Sequence, residues 1–139
     1  MKTISLTYNG YWREVNKSGI PDASGVYCVY ACTYDSSAKT VSLRELIYIG
    51  ESEHVQSRLA EHERLDDWKK KLKVGETICY SFAEIGSDDR NRAEAALIYH
   101  HRPPCNVEYT YAFPFPDTTI NTAGRNALLD TTFTVRDTR

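Results

Sequence analysis

The sequence predicts an α+β fold in which a small three-stranded sheet, mixed or antiparallel, is flanked by helices. Three segments rich in Val, Ile, Tyr and Cys have the length and composition of strands. Two segments, 55–65 and 87–101, carry apolar residues at helical spacing. The order of these elements indicates helices that pack against one sheet.

A chain of 139 residues has the size of a single domain. Hydrophobic residues make up 41% of it and charged residues 26%, which is typical of a globular protein. No apolar run has membrane-spanning length, so we expect no membrane association, no signal peptide and a cytoplasmic location. The single domain 1–139 is predicted to comprise an N-terminal arm (1–24), a core (25–107) and a C-terminal extension (108–139).

The elements of the first half begin in the arm, where a short strand at 4–8 precedes a turn at Asn9-Gly10. A strand at 26–33 is followed by turn residues from Asp35 and by another strand at 46–49. Because the interruption between these two strands is long for a tight hairpin, we expect an antiparallel pair joined by a flexible loop.

The first helix is predicted to begin after Ser52, which is placed to cap it. Glu53 adds negative charge to its first turn, where the helix dipole favours an acid. Val55 and Leu59 form its apolar stripe. A basic helix follows and ends at Gly75.

The second half begins with a third strand at 77–83. A long helix then covers 87–101 and stops before Pro103-Pro104, because proline lacks an N–H donor and restricts the residue before it. A last strand at 133–135 is predicted within the C-terminal extension.

The cysteines are expected to be buried, reduced thiols that pack as small hydrophobes. They are Cys28, Cys32, Cys79 and Cys105. No pair has CxxC spacing, and the first two share one face of a predicted strand. A zinc site is the alternative interpretation.

Charge gives only local support for nucleic-acid binding. The formal net charge is −2, whereas binding to phosphate usually goes with a basic excess. Arg64 and a cluster of lysines nevertheless form a basic segment that is a candidate for contact with nucleic acid. The lysines are Lys69, Lys70, Lys71 and Lys73. A solvated helix face is the alternative.

A tyrosine beside a glycine occurs in two neighbouring strands, as GVY at 25–27 and YIG at 48–50. Arg58 follows in the first helix, and His62 lies four residues later, which places both on one helix face.

Two further polar residues complete the pattern. Glu94 lies inside the otherwise apolar segment RAEAALIY, and Asn106 follows the two prolines. Taken alone, Glu94 would pair with Arg90 on a solvated face, and Arg58 would be an ordinary surface arginine.

In this order and spacing, the positions resemble the GIY-YIG nuclease superfamily over about 24–107. The matched residues are Gly25, Tyr27, Tyr48, Gly50, Arg58, His62, Glu94 and Asn106. The resemblance implies a metal-dependent endonuclease that hydrolyses phosphodiester bonds in DNA and uses Mg²⁺ or Mn²⁺.

The resemblance also implies roles for the matched side chains. Glu94 offers hard oxygen to the metal, and Arg58 offers a planar fork of donors to phosphate. Tyr48 takes the proton from the attacking water, Tyr27 orients water or phosphate, and His62 shuttles a proton or binds phosphate.

The remaining matched residues have supporting roles. Asn106 is expected to bind backbone near the metal, and Gly25 and Gly50 to let backbone and substrate approach closely. Glu51 departs from the common pattern, in which lysine follows YIG, and a carboxylate there raises a tyrosine pKa. We expect Glu51 to lie at the helix N-terminus and point away; the alternative is that it receives a proton or touches the metal.

Two functions from different classes therefore follow. The leading one is the endonuclease, with duplex, single-stranded or branched DNA, or RNA, left open as its substrate. The other is a catalytically attenuated DNA-binding or protein-interaction module on the same fold. In either case the arm and the extension are available for a homodimer or a protein partner.

Overall fold

The computed structural model describes residues 1–139 and contains six strands and three α-helices. The strands are β1 (Lys2–Arg13), β2 (Gly25–Asp35), β3 (Thr40–Ser52), β4 (Thr77–Glu84), β5 (Thr118–Gly124) and β6 (Thr132–Val135). The helices are α1 (Val55–Ala60), α2 (Leu65–Lys69) and α3 (Ser87–His101), and a 3₁₀ helix covers Glu14–Gly19. None of these helices has the combination of length and apolar character that crossing a membrane requires.

The predicted α+β class is confirmed, but the prediction of three strands is wrong. All six strands form one mixed sheet in the order β3-β2-β4-β1-β5-β6. β1 pairs antiparallel with β4 and parallel with β5. The segment expected to be an arm therefore supplies an interior strand, because Ile4, Leu6 and Tyr8 alternate along β1 and are all buried.

Hydrophobic cores lie on both faces of the sheet. On one face, which α3 and the C-terminal segment cover, Phe113 and Phe133 are buried. On the other face, which α1 and α2 cover, Val55, Leu59 and Trp68 are buried. The sheet is thus the middle layer of three, and its edge strand β3 is accessible from both faces.

Strand β5 was missed from the sequence because two of its three buried positions are threonine. Thr118, Ile120 and Thr122 point inward. Arg92 Nε donates to Thr118 Oγ1 at 2.7 Å, and Thr122 Oγ1 donates to the Asp130 carbonyl oxygen at 2.8 Å. Since these bonds satisfy the buried hydroxyls, the strand needs no hydrophobic alternation.

The connection between β2 and β3 is a tight turn and not the flexible loop that we expected. Both strands extend beyond their apolar segments, so that only residues 36–39 separate them. Asp35 Oδ1 accepts hydrogen bonds from the backbone N–H groups of Ser37 and Ala38 at 2.9 and 3.1 Å. Lys39 completes the turn with a left-handed φ of 56°.

A disulfide joins Cys32 of β2 to Cys79 of β4, with the two Cα atoms 6.2 Å apart. The prediction of four reduced thiols is therefore wrong for this pair, whereas Cys28 and Cys105 are free and buried. Strand pairing explains the bond, because Cys79 lies opposite Tyr30, two residues before Cys32. A separation of 47 residues in sequence gives no sign of this proximity.

The start of β2 gives a first prediction about stability. A Cβ atom on Gly25 would lie closer than 3.0 Å to both the Ala83 carbonyl oxygen and the Phe82 ring. Because the backbone of β4 is held by the sheet, Gly25→Ala should lower the free energy of unfolding by about 2–3 kcal/mol. Urea denaturation followed by circular dichroism measures this change.

Gly86→Ser is the matched control. A Cβ atom on Gly86 would meet nothing within 4 Å, and Gly86 is the N-cap of α3, where serine is favoured. This variant should be as stable as the parent or more stable. Equal losses in the two variants would contradict the packing described at Gly25.

Candidate active site

An open cleft of about 720 Å³ lies at the β3 edge of the sheet. Most of the side chains that the sequence singles out line it. They are Tyr27, Tyr48, Glu51, Arg58, Arg64, Glu94 and Asn106. The fold thus brings together residues from β2, β3, α1, α3 and the segments that follow α1 and α3.

The alternation of side chains along β3 divides the cleft between the two faces of the sheet. Tyr48 and Gly50 lie on the face covered by α1 and α2, whereas Glu51 lies on the face covered by α3. Tyr27 of β2 lies directly opposite Gly50. The tyrosines therefore reach the cleft from one face and the carboxylates of Glu51 and Glu94 from the other.

Gly50 makes room for the Tyr27 ring. A Cβ atom at position 50 would lie closer than 3.0 Å to both Cζ and Oη of Tyr27. The ring centroids of Tyr27 and Tyr48 are 6.4 Å apart. The expectation that glycine allows a close approach of backbone is confirmed at Gly25, where the Ala83 carbonyl oxygen lies beside it. The space beside Gly25 and Gly50 is filled by the protein itself and not by substrate.

His62 does not share a helix face with Arg58, as we had expected, because α1 ends at Ala60. His62 lies in the turn before α2 and is only 6% exposed. Its ring centroid is 4.4 Å from that of the fully buried Trp68. His62 does not line the cleft, so its environment does not match the implied phosphate contact.

The hydrogen bonds of His62 define its tautomer. The backbone N–H of Arg64 donates to Nδ1 at 3.0 Å, so Nδ1 accepts. Burial, with a smaller contribution from Arg58, lowers the pKa of His62 to about 4 and keeps the ring neutral. The hydrogen is therefore on Nε2, which donates to Tyr27 Oη at 3.0 Å. His62 thus stabilises negative charge on Tyr27 and does not take its proton.

Both tyrosines are protonated at neutral pH in the protein alone. Burial raises the pKa of Tyr27 well above its usual value, and the neighbouring Tyr48 raises it further. Burial also raises the pKa of Tyr48, followed by the charge of Glu94, whereas Arg64 and Arg58 lower it. The ionisation of Tyr48 thus depends on the charge that Glu94 carries.

Glu94 is half-buried and does not pair with Arg90. Arg90 instead forms an ion pair with Glu51 and donates to Ser24 Oγ at 2.8 Å. Burial, followed by the charges of Glu51 and Glu108, raises the pKa of Glu94 to about 8. Glu94 is thus a carboxyl group held in the cleft without a cation partner.

Glu51 is not a helix cap, so our expectation for it is wrong. It belongs to β3, and α1 begins four residues later, at Val55. The carboxylate lines the cleft and is neutralised by Arg90.

The carboxylate of Glu94 has the donor chemistry that suits a divalent cation. Mg²⁺ is commonly held by one or two carboxylates, with water and phosphate oxygens as the other ligands. Glu94 offers such a carboxylate, and the like charges of Glu51 and Glu108 favour a cation beside it. Oxygen donors also suit Mn²⁺.

A second group of metal-ligating side chains comprises His100, His101 and Asp130. Both ring nitrogens of His101 are already bonded there. Nδ1 bonds to the Leu97 carbonyl oxygen at 2.9 Å, and Nε2 accepts from the Asp130 backbone N–H at 3.0 Å. This group joins α3 to the β5–β6 connection.

Asn106 binds the backbone of β3 with both ends of its amide. Its Oδ1 accepts from the Ile49 N–H at 2.9 Å, and its Nδ2 donates to the Ile49 carbonyl oxygen at 2.9 Å. These bonds fix the segment after α3 against the edge strand, which brings Glu108 and Tyr109 into the cleft.

Arg58 is held by a carboxylate at the mouth of the cleft. Its NH1 and NH2 groups donate to the two oxygens of Glu63 at 2.6 and 2.8 Å. This is the bidentate geometry in which arginine also binds phosphate. A substrate phosphate that binds Arg58 in this way must displace Glu63.

The basic segment divides into two parts. Arg64 lines the cleft, lies over the Tyr48 ring at 5.7 Å and donates to the Cys105 carbonyl oxygen at 2.7 Å. The four lysines are exposed and lie outside the cleft, on α2 and the turn after it. They are Lys69, Lys70, Lys71 and Lys73.

Seven lining residues were not singled out as site residues from the sequence: Ser87, Arg90, Asn91, Ile98, Val107, Glu108 and Tyr109. Arg90 and Asn91 lie one turn before Glu94 on α3, and this i−4 and i−3 spacing is the signal that would have found them. Glu108 and Tyr109 lie in an irregular segment, where no periodic pattern indicates which way a side chain points.

Comparisons of the chain with protein-family models, with curated proteins and with solved structures give no significant match. Its function is therefore inferred from the cleft.

The raised pKa of Glu94 predicts a pH dependence of stability. Between pH 4.5 and about 8 the unfolded chain releases this proton while the folded protein retains it, so the free energy of unfolding falls as pH rises. Glu94→Gln removes this effect. In EDTA the free energy of unfolding of this variant should equal that of the parent near pH 4.5 and exceed it by about 2 kcal/mol at pH 8.

Urea denaturation at several pH values in this range measures the difference. Glu53→Gln, which changes an exposed carboxylate outside the cleft, should differ little from the parent at every pH. A difference between Glu94→Gln and the parent that stays constant with pH would contradict the assignment.

Proposed function

We propose that this protein is a metal-dependent endonuclease of the GIY-YIG type that hydrolyses phosphodiester bonds in DNA. The observation that carries the proposal is the convergence of Tyr27, Tyr48, Arg58 and Glu94 in one cleft. Two of its features are typical of catalytic sites: a carboxyl group without a cation partner and phenols beside arginines.

The arginines of the cleft bind the scissile phosphate in this proposal. Arg58 exchanges Glu63 for phosphate oxygens, and Arg64 adds positive charge beside Tyr48. The planar guanidinium fork of Arg58 suits both the bound diester and the additional negative charge of the transition state. Glu94 would hold Mg²⁺ or Mn²⁺, which would supply charge neutralisation and lower the pKa of bound water.

The two tyrosines have different roles in this proposal. Tyr48 is half-buried and, once the charge of Glu94 is neutralised, accepts the proton of the attacking water, because Arg58 and Arg64 then favour its ionised form. Tyr27 is only 1% exposed and receives a hydrogen bond from His62, so it orients water or phosphate from a fixed position. Any neutralisation of Glu94 favours ionised Tyr48, since the charge of Glu94 raises the pKa of Tyr48.

The second candidate function is a DNA-binding or protein-interaction module with attenuated chemistry. The observation that favours it is the bidentate pair between Arg58 and Glu63, which occupies the donors that a phosphate would use. Such a module would bind its partner equally well in EDTA and with Glu94 replaced.

The nuclease proposal predicts metal-dependent cleavage. Labelled duplex, single-stranded and branched DNA, and RNA, are incubated with Mg²⁺, Mn²⁺ or EDTA. We expect cleavage of at least one substrate with metal, none in EDTA, and a loss of about 100-fold or more in Glu94→Ala. Glu53→Ala, which removes an exposed carboxylate outside the cleft, should cleave at the parent rate.

Binding without cleavage under every metal condition would sink the nuclease proposal and favour the module. Equal losses in the two alanine variants would show that the carboxylate in the cleft has no special role.

The Arg58–Glu63 pair predicts a gain in substrate binding on mutation. Glu63→Gln frees the guanidinium, so the KM for DNA should fall about two- to fivefold, which is the scale of an exposed ion pair, with kcat nearly unchanged. Glu61→Gln removes the same charge from a neighbouring exposed residue that has no ion pair. Equal effects of the two variants would indicate net charge and not competition for Arg58.

A further inference from the structure

A second concavity of about 380 Å³ lies at the opposite end of the β2–β3 hairpin from the cleft. Three basic residues line it: Arg13 at the end of β1, Lys39 in the tight turn, and Arg125 after β5. Tyr11 and Tyr34 also line it, whereas no aspartate or glutamate does so. The concavity therefore carries an uncompensated positive charge in a chain whose formal net charge is −2.

The three basic side chains have no ion-pair partner anywhere in the structure, whereas most other lysines and arginines do. Arg13, Lys39 and Arg125 come from distant parts of the sequence and meet through the sheet. Like charges gathered without counter-charges repel one another. An anionic ligand removes this repulsion.

A contact in the wall holds one of the basic groups in place. The guanidinium carbon of Arg13 lies 3.7 Å from the centroid of the Tyr34 ring, which is a cation–π contact. Tyr11 Oη accepts from the Ala127 N–H at 3.0 Å, so this hydroxyl group is also fixed in the wall.

We infer that this concavity binds a phosphate group of the nucleic-acid backbone, as a second anchor remote from the cleft. The inference rests on the proposed function, which supplies the nucleic acid. Arginine, lysine and tyrosine hydroxyl groups are donors that commonly bind backbone phosphates. The concavity has the volume of a site for a nucleotide unit rather than for a lone anion.

The spacing of the two sites fits this role. Tyr27 in the cleft and Tyr34 in the concavity are seven residues apart on β2, which corresponds to about 23 Å. Because this number is odd, Tyr34 lies on the face of the sheet from which Glu51 and Glu94 reach the cleft, and not on the face of Tyr27. Successive phosphates of one duplex strand advance about 3.4 Å along the helix axis, so the sites are about seven phosphates apart. The second anchor therefore acts on DNA that extends well beyond the cleavage position.

The test measures how binding depends on salt, because each phosphate contact that is lost reduces the slope of log K against log salt by about 0.9. Binding of a labelled duplex of about 25 base pairs, longer than the span between the sites, is titrated in the Glu94→Ala background to prevent cleavage. Arg13→Gln/Arg125→Gln should reduce the slope by about one, which corresponds to the loss of this phosphate contact, and weaken binding about tenfold at low salt.

The matched control is Arg136→Gln/Arg139→Gln, which removes two exposed arginines that pair with Asp117 and Asp137. It should leave the slope unchanged. Circular dichroism and urea denaturation establish that both double variants fold. Lys39→Gln, at the exposed tip of the turn, provides an independent variant and should reduce the slope in the same direction, by no more than about one.

An unchanged slope in Arg13→Gln/Arg125→Gln, or an equal change in the control, would overturn the inference. A second result would also overturn it: the parent binds inorganic phosphate saturably, the variant does not, and the salt slope for DNA is the same in both. The ligand of the concavity would then be free phosphate. Failure of the proposed function gives a different result, namely no cleavage by the parent with any metal. A reduced slope would support the anchor whether or not the parent cleaves DNA.

Discussion

The pairing of Tyr27 with Gly50 across β2 and β3 is the constraint on which the cleft depends. This register puts a residue without a side chain under the phenol ring, and the ring fills that space. Tyr48, two residues before Gly50 on the same face, then packs beside it. A shift of one residue would move Tyr48 to the opposite face of the sheet and separate the two hydroxyl groups.

Packing below the tyrosines extends this constraint to the helices. Trp68 of α2 is fully buried, and its ring contacts Tyr48, His62 and Tyr80. The basic segment around α2 therefore also has a structural role. It holds His62 in the position from which its Nε2 donates to Tyr27 Oη.

The two faces of the edge strand β3 present different charged groups to the cleft. Arg90 neutralises Glu51 and forms no ion pair with Glu94, whose pKa is raised to about 8. On the other face, Arg58 is held by Glu63. This distribution places an acidic group without an ion pair on one face and an arginine paired with an exposed carboxylate on the other.

The sequence by itself determined the α+β class, the positions of β2, β4, α3 and β6, and half of the residues that line the cleft. These followed from apolar patterns, from proline and from local spacing, all of which act within a few residues. Only the tertiary structure decided that the arm is an interior strand, that Cys32 meets Cys79, and that Arg90 pairs with Glu51 and leaves Glu94 alone. The physical reason is that strand order, register and the choice of ion-pair partner depend on contacts between distant segments, which local sequence patterns do not encode.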